Sequence, residues 1–203
     1  MKKLAFFAFF IGYMPFVLFA QKPLLNETFE KFSISTPDRF VETSSSVRWS
    51  ANGASVSIVA NPQKAGIDKS NLVLQISRNV NPEIVKGSQG KNHPGGNTYR
   101  GCSTDSYNFS MSEKLCIIEL KVLKKVAGKL GIRITEANSF KEVISEELEG
   151  SDKWQLVRFD FTGKIPAIVD NTKLLFEMEK NPTAEAQTPE LTVFIDDIKL
   201  IAK

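Results

Sequence analysis

The stretch "VFIDDIKLIA" at Val193–Ala202 sets two acids, Asp196 and Asp197, inside an apolar strand pattern. Period-2 alternation puts Asp196 on a face with Phe194, Ile198 and Leu200, and Asp197 on the other with Val193 and Ile195. A carboxylate on an apolar face is costly unless something pairs with it. Either that end of the strand is wet, or a cation is there. A second acidic run, "EELE", spans Glu146–Glu149. Glycoside hydrolysis needs two carboxyl groups across a cleft. Adjacent acids on a strand point to opposite faces, so neither run is by itself an acid/base pair. His93, the only histidine, sits among turn residues in "KNHPGGN" and is expected to be an exposed loop side chain. One histidine and two separated cysteines exclude the familiar zinc clusters. Neither a nucleophile elbow nor a phosphate loop is present. Binding, not catalysis, is the chemistry these residues favour, with a small glycan-active enzyme as the remote alternative.

Sugar recognition uses aromatic faces against ring C–H groups, with planar polar side chains beside them. The candidates are Trp49, Trp154, Tyr99, Tyr107 and Arg100. Tyr99 and Arg100 lie in Arg78–Ser106, an irregular segment with five glycines and two prolines. Long loops inside a compact domain are usually functional or disordered. Tyr99 supplies a rigid ring with a polar tip, and Arg100 a fork of five donors; this pair is the preferred ligand site. Trp49 is the next candidate, with a core position as its alternative. Trp154 begins a strand and is expected to pack at a sheet edge.

The elements that must position these groups are strands. "NETFEKFS" opens the series, and "VRWSANGASVSIVANPQKAG" has the form of two strands turning at Asn52-Gly53, a strong hairpin signal. "NLVLQISR", "KLCIIELKVLK", "KLGIRITEA", "KWQLVRFDFTG" and "KLLFEMEK" follow, each with apolar residues on alternate positions or, in the first half of "KLCIIELKVLK", on both faces. "SFKEVISEELEG" fits a thin helical stripe and a strand equally well. Eight to ten strands with turn signals between them indicate an all-β antiparallel sandwich.

Lys2 and Lys3 followed by an uncharged run from Leu4 to Ala20 have the form of a secretory signal cleaved after Ala20. Residues 21–203 then make a single domain, large enough for a real core, secreted and free of the membrane. Loss of Lys2 and Lys3 lowers the formal charge from +3 to +1, and so near-neutral a chain carries no electrostatic footprint for nucleic acid. "KVLKK" at Lys121–Lys125 is expected to be the solvated end of a strand. Cys102 and Cys116 are either two free thiols or, in an exported protein, a disulfide.

Three stretches together resemble a known family: "ETFEKF", then "ASVSIVANPQKAGIDKSNLVLQISR" at Ala54–Arg78, then "WQLVRFDFTG" leading on to "VFIDDIKL". The chain resembles the secreted carbohydrate-binding-module-like jelly rolls of Bacteroidetes, within the galactose-binding-like group of folds. The resemblance implies jelly-roll topology and a non-catalytic role in glycan recognition. The rival is a structural or adhesion domain of the cell envelope. The resemblance also implies a structural calcium, with Glu30 and Asp196 supplying carboxylates and carbonyls of the Gln63–Gly66 turn completing the shell; calcium takes six to eight oxygens.

Overall fold

A computed structural model describes residues 25–38, 40–42, 48–52, 54–78, 101–104, 109–136, 140–165, 168–178 and 192–203. The described residues form thirteen strands: β1 Asn26–Glu27, β2 Phe40–Glu42, β3 Arg48–Asn52, β4 Ala54–Ala60, β5 Leu72–Arg78, β6 Gly101–Thr104, β7 Phe109–Ser112, β8 Leu115–Leu123, β9 Gly128–Glu136, β10 Phe140–Leu148, β11 Gln155–Asp160, β12 Ile168–Met178 and β13 Thr192–Ala202. Their pairing resolves into two layers. In the first, β2-β3-β6-β12-β9-β10 run side by side, with β7 completing the ladder along the first half of β12. In the second, β4-β5-β13-β8-β11 run side by side. β1 takes over from β5 beside the second half of β13. A single β7–β8 contact, Ser112 opposite Leu115, links the layers. All the pairings are antiparallel, and the whole is a jelly-roll sandwich.

The core lies between the layers. Ile118, Leu120, Val122, Val157, Phe159, Val193 and Ile195 face it from one side, and Leu130, Ile132, Ile134, Leu174, Phe176 and Met178 from the other. These are the alternate positions that the sequence pattern marks. Trp49 sits at the centre, fully buried, stacked on Phe176 with ring centroids 5.6 Å apart and in tilted contact with Phe29 at 5.8 Å. Its alternative as an exposed sugar platform is therefore corrected: the inward face of β3 carries the indole into the sandwich.

Three further expectations need correction. Asn52-Gly53 does not close a hairpin, because β3 bonds to β2 and β6 while β4 bonds to β5 in the opposite layer. The local turn preference yields to the ladders that β3 makes with β2 and β6 and that β4 makes with β5. The opening strand ends at Glu27, and Thr28–Phe32 turn instead. Glu27 Oε1 accepts the amides of Thr28 and Phe29, and Phe29 adopts φ 58°, so that Phe29 and Phe32 both reach the core. Finally, the alternation in β13 breaks. Asp197 has φ 50° and the register with β8 shifts between Asp196 and Lys199, a β-bulge. Val193 and Ile195 therefore share the core face with Ile198 and Leu200, while Asp196 falls on the opposite face with Phe194.

The ambiguous "SFKEVISEELEG" stretch is strand β10, paired along its length with β9. Cys116 is a buried free thiol beside Thr162. Replacing Trp49 with Ala removes the keystone of this core; the expected cost is about 3–5 kcal/mol, read as a lower midpoint in urea unfolding with the slope unchanged.

Candidate functional site

Two regions concentrate polar groups. The first lies where β13 bulges. Residues 61–71 form a loop closed at its base by Asn61, whose amide N–H donates to Asn71 O at 2.8 Å and whose Nδ2 donates to Ser70 O at 3.1 Å. Trp154 caps it from β11's side, with Nε1 donating to Gln63 O at 2.9 Å, which fits the expected edge position. Within the loop, Asp68 is fully buried and accepts the Ser70 amide at 3.0 Å. The Ser70 hydroxyl in turn donates to Asp196 Oδ2.

A side-chain cation, Lys121, stands beside the other two acids of this cluster. Its Nζ lies 2.6 Å from Asp197 Oδ2 and 3.6 Å from Asp68 Oδ1. Lys199 approaches Asp197 at 3.6 Å. Burial works to lower the Lys121 pKa, but the Asp197 bond and the charges of Asp197, Asp68 and Asp196 outweigh it and raise it. Lys121 was expected to be a solvated strand end. What hid its role is the bulge, which turns Asp197 towards it, and residue 68, which approaches from another part of the chain. Asp196 Oδ1 and Asp68 Oδ2 are buried without a partner among the described residues. Burial above all, then the neighbouring charges of Asp68 and Asp197, pushes the Asp196 carboxyl up to about 7 against the pull of the Ser70 hydroxyl.

Glu30 stands next to this cluster. It accepts the amides of Asn71 at 2.5 Å and Leu72 at 3.1 Å, so it and Asp196 hold consecutive residues of one loop end. Burial works to raise its pKa; the Leu72 and Asn71 amides prevail and hold it below the ordinary carboxylate value. Gln63 O, an expected calcium donor, already accepts both Trp154 Nε1 and the Ala65 amide. Among the described residues no three metal-binding side chains converge.

The second region is the outer face of the β2-β3-β6-β12-β9-β10 layer. Directly opposed residues share a face, so the register writes it as rows. One row runs Val143–Arg133–Leu175–Ser103–Ser50, and the next Ser145–Gly131–Glu177–Gly101–Asn52. Arg133 pairs with Glu177 in the middle of the face. Gly131 is buried beneath its neighbours: a Cβ on it would sit 2.9 Å from Ser145 Oγ and 3.3 Å from Glu177 Cβ, so the close approach of these side chains needs a glycine there. Tyr99, Arg100, Tyr107 and His93 lie outside the described residues; residue 101 begins β6, between β3 and β12. Arg133 and Glu177 were passed over in the sequence; alternation with Leu130, Ile132 and Ile134 placed Arg133 outward, and only the register brings Glu177 to it.

No family model and no curated protein matches the chain. Solved structures do match it in fold. An exo-β-agarase aligns at TM-score 0.52 and 11% identity over 89% of this chain, which spans 25% of the agarase. A xylan-binding domain of carbohydrate-binding-module family 22 aligns at TM-score 0.48 and 11% identity, covering 88% of this chain and 94% of its own. A family 61 module, solved with β-1,4-galactotriose, aligns at TM-score 0.46 and 10% identity, covering 87% and 95%.

The raised Asp196 carboxyl fixes a sign for pH dependence in metal-free protein. Between its unfolded value of 3.8 and about 7, the folded chain holds a proton that the unfolded chain has lost. Stability should therefore rise as pH falls from 8 towards 5, and level off below the unfolded value. Chemical unfolding in chelator at several pH values checks this, and Asp196→Asn should flatten the trend. Lys121→Met should cost about 1–3 kcal/mol, because it strands the acids it holds.

Proposed function

We propose that the protein is a secreted, non-catalytic carbohydrate-binding module whose ligand lies along the outer face of the β2-β3-β6-β12-β9-β10 layer. The observation that carries this reading is the face itself: in-register rows across the layer, with the Arg133–Glu177 ion pair at the centre and Ser145, Gly131, Ser103 and Ser50 at register positions around it. Bidentate polar groups on a rigid sheet hold sugar hydroxyls without a large ordering cost. Tyr99 and Arg100, on the segment leading into β6, are proposed to complete the site. Solved neighbours named as a xylan-binding domain and as a module in complex with galactotriose are similar to this chain in fold. A non-catalytic role is supported by two acids among the described side chains of this face: Glu177 is committed to Arg133, and Glu147 to Lys129 at 3.2 Å. Neither is a free member of an acid/base pair.

A structural calcium is proposed at the other region, with Asp196 and Glu30 as its carboxylates. The orphaned, buried Asp196 Oδ1 supports it, since a divalent cation would compensate a charge that burial otherwise disfavours. The ion would tie the loop 61–71 to the last strand; it would take no part in ligand chemistry.

A glycan array on residues 21–203, followed by calorimetry, tests the binding role. One shallow site should give a dissociation constant on the order of 1 mM to 1 μM. Glu177→Ala, which removes the carboxylate that Arg133 pairs with, should weaken that binding with little change in melting; retention of full affinity would place the ligand elsewhere. For the metal, calcium at a hundredfold excess over its dissociation constant should stabilise by about 2.7 kcal/mol, and Asp196→Ala should abolish that gain.

A further inference from the structure

The first layer ends in β10, which runs nine residues, Phe140–Leu148, in unbroken register with β9. Among the described residues no strand lies on its other side. An open edge presents a row of unpaired N–H and C=O groups, and proteins ordinarily shorten, bulge or cover it. The other edges of this sandwich are managed in that way. β2, at the opposite end of the same layer, is three residues long. The free side of β4 is covered by Ser35 and Asp38, which bond to the backbone of Ile58 and Val56. β11, the edge of the second layer, has six residues. β10 is the longest open edge among the described residues, and it has no bulge. It is also fixed just past its end. Gln155 Nε2 donates to Glu149 O at 3.0 Å, the Ser151 amide donates to Lys124 O at 2.9 Å, and Gly150 packs so closely that a Cβ would sit 2.5 Å from Lys125 O. A strand held in this way loses little freedom on taking a partner.

The side chains of β10 select that partner. Ile144, opposed to Ile132, packs half-buried against the core. Glu142 and Glu146, opposed to Ile134 and Leu130, share its face and flank it on either side. Both acids are half-buried, and neither has a hydrogen-bond or ion-pair partner among the described residues. Acids turned inward on an edge strand oppose pairing with a like edge. A second copy adding antiparallel about Ile144 would set Glu142 opposite Glu146 twice, and like charges directly opposed are destabilising. The same geometry favours a strand with Lys or Arg four positions apart and an apolar residue midway. Its cations then face Glu142 and Glu146, and its apolar side chain covers Ile144.

We propose that β10 is a docking edge for an extended basic segment of another protein, which adds as a further strand to this layer by main-chain bonds. Glu142 and Glu146 determine its specificity. The added strand lies in the plane of the layer, so this inference does not depend on what the outer face binds.

The experiment is an amide-shift titration of isotopically labelled residues 21–203 with the acetylated, amidated peptide Thr-Lys-Thr-Val-Thr-Lys-Thr. Saturable shifts centred on Glu142–Leu148 are expected, weakening with added salt. The peptide with Glu in place of both Lys should not bind. N-methylation removes backbone donors from one side of an extended peptide. Methylating the Lys and Val amides, or the Thr amides instead, should therefore abolish binding in one case and preserve it in the other. Glu142→Gln combined with Glu146→Gln should weaken binding about tenfold with melting unchanged, while Glu113→Gln, at an exposed acid in the turn between β7 and β8, should leave it intact. Absence of binding would overturn the proposal. Binding that survives both methylation patterns would overturn strand addition, leaving plain charge attraction. Binding indifferent to the Glu142 and Glu146 substitutions, or shared by the acidic peptide, would overturn the basic partner. Self-association of the protein through β10, seen by sedimentation and abolished by the basic peptide, would overturn it in favour of a second copy.

Discussion

The interaction on which the architecture turns is the contact of Lys121 with Asp197 across the β-bulge of the last strand. β13 lies between β8 and β5 at the centre of its layer, and the bulge is where its neighbour changes from β5 to β1. A bulge places an extra residue in the ladder, and here that residue is an acid at φ 50°. The Lys121 ammonium compensates it and also approaches the buried Asp68. Breaking such an arrangement by removing one partner is far more costly than the worth of the contact itself. Through Ser70, the same cluster pins the loop 61–71 to Asp196, and through Glu30 it joins that loop to the turn after β1. Lys121 thus connects three stretches of chain that are remote in sequence, and Glu30 adds a fourth through Asn71 and Leu72.

From that fixed end the core carries order to the opposite layer. Phe29 leaves the turn next to Glu30 and meets Trp49, and Trp49 stacks on Phe176 of β12. The other face of β12 carries Lys173, Leu175 and Glu177, the middle of the proposed ligand ladder. Each strand therefore serves twice. Its inward residues fill the sandwich, and its outward residues are held in rows at strand spacing. A binding surface of this kind needs little reorganisation on meeting its ligand, because the rotamers of Arg133 and Glu177 are already set by their ion pair.

The strands that alternate cleanly were legible in the sequence. Val157, Phe159 and Phe161 face inward as the pattern indicates, as do Leu174, Phe176 and Met178, and Trp154 packs at its edge. Period-2 patterning states which face is buried but not which strand lies beside it. That is why Asn52-Gly53, a sound local turn signal, joins two layers rather than closing a hairpin. It is also why Lys121 in "KVLKK" gave no hint of its partners: Asp197 reaches it through a left-handed residue within the strand, and Asp68 through a loop fifty-odd positions earlier. Glu30 and Asp196 were singled out by resemblance, and they do meet the same loop end, yet Glu30 does so by accepting amides. Trp49 illustrates the limit from the other side. An aromatic residue suits a sugar face and a hydrophobic core equally well, and only the layer it belongs to decides between them.

The central claim is that ligand is bound on the outer face of the β2-β3-β6-β12-β9-β10 layer. The most direct measurement is residue-by-residue mapping of amide chemical shifts in isotopically labelled protein during titration with a glycan identified on an array. The account predicts that the perturbed amides cluster on Gly131, Arg133, Thr135, Lys173, Leu175 and Glu177. Perturbations gathered instead on the outward residues of β11, at Leu156, Arg158 and Asp160, would contradict it.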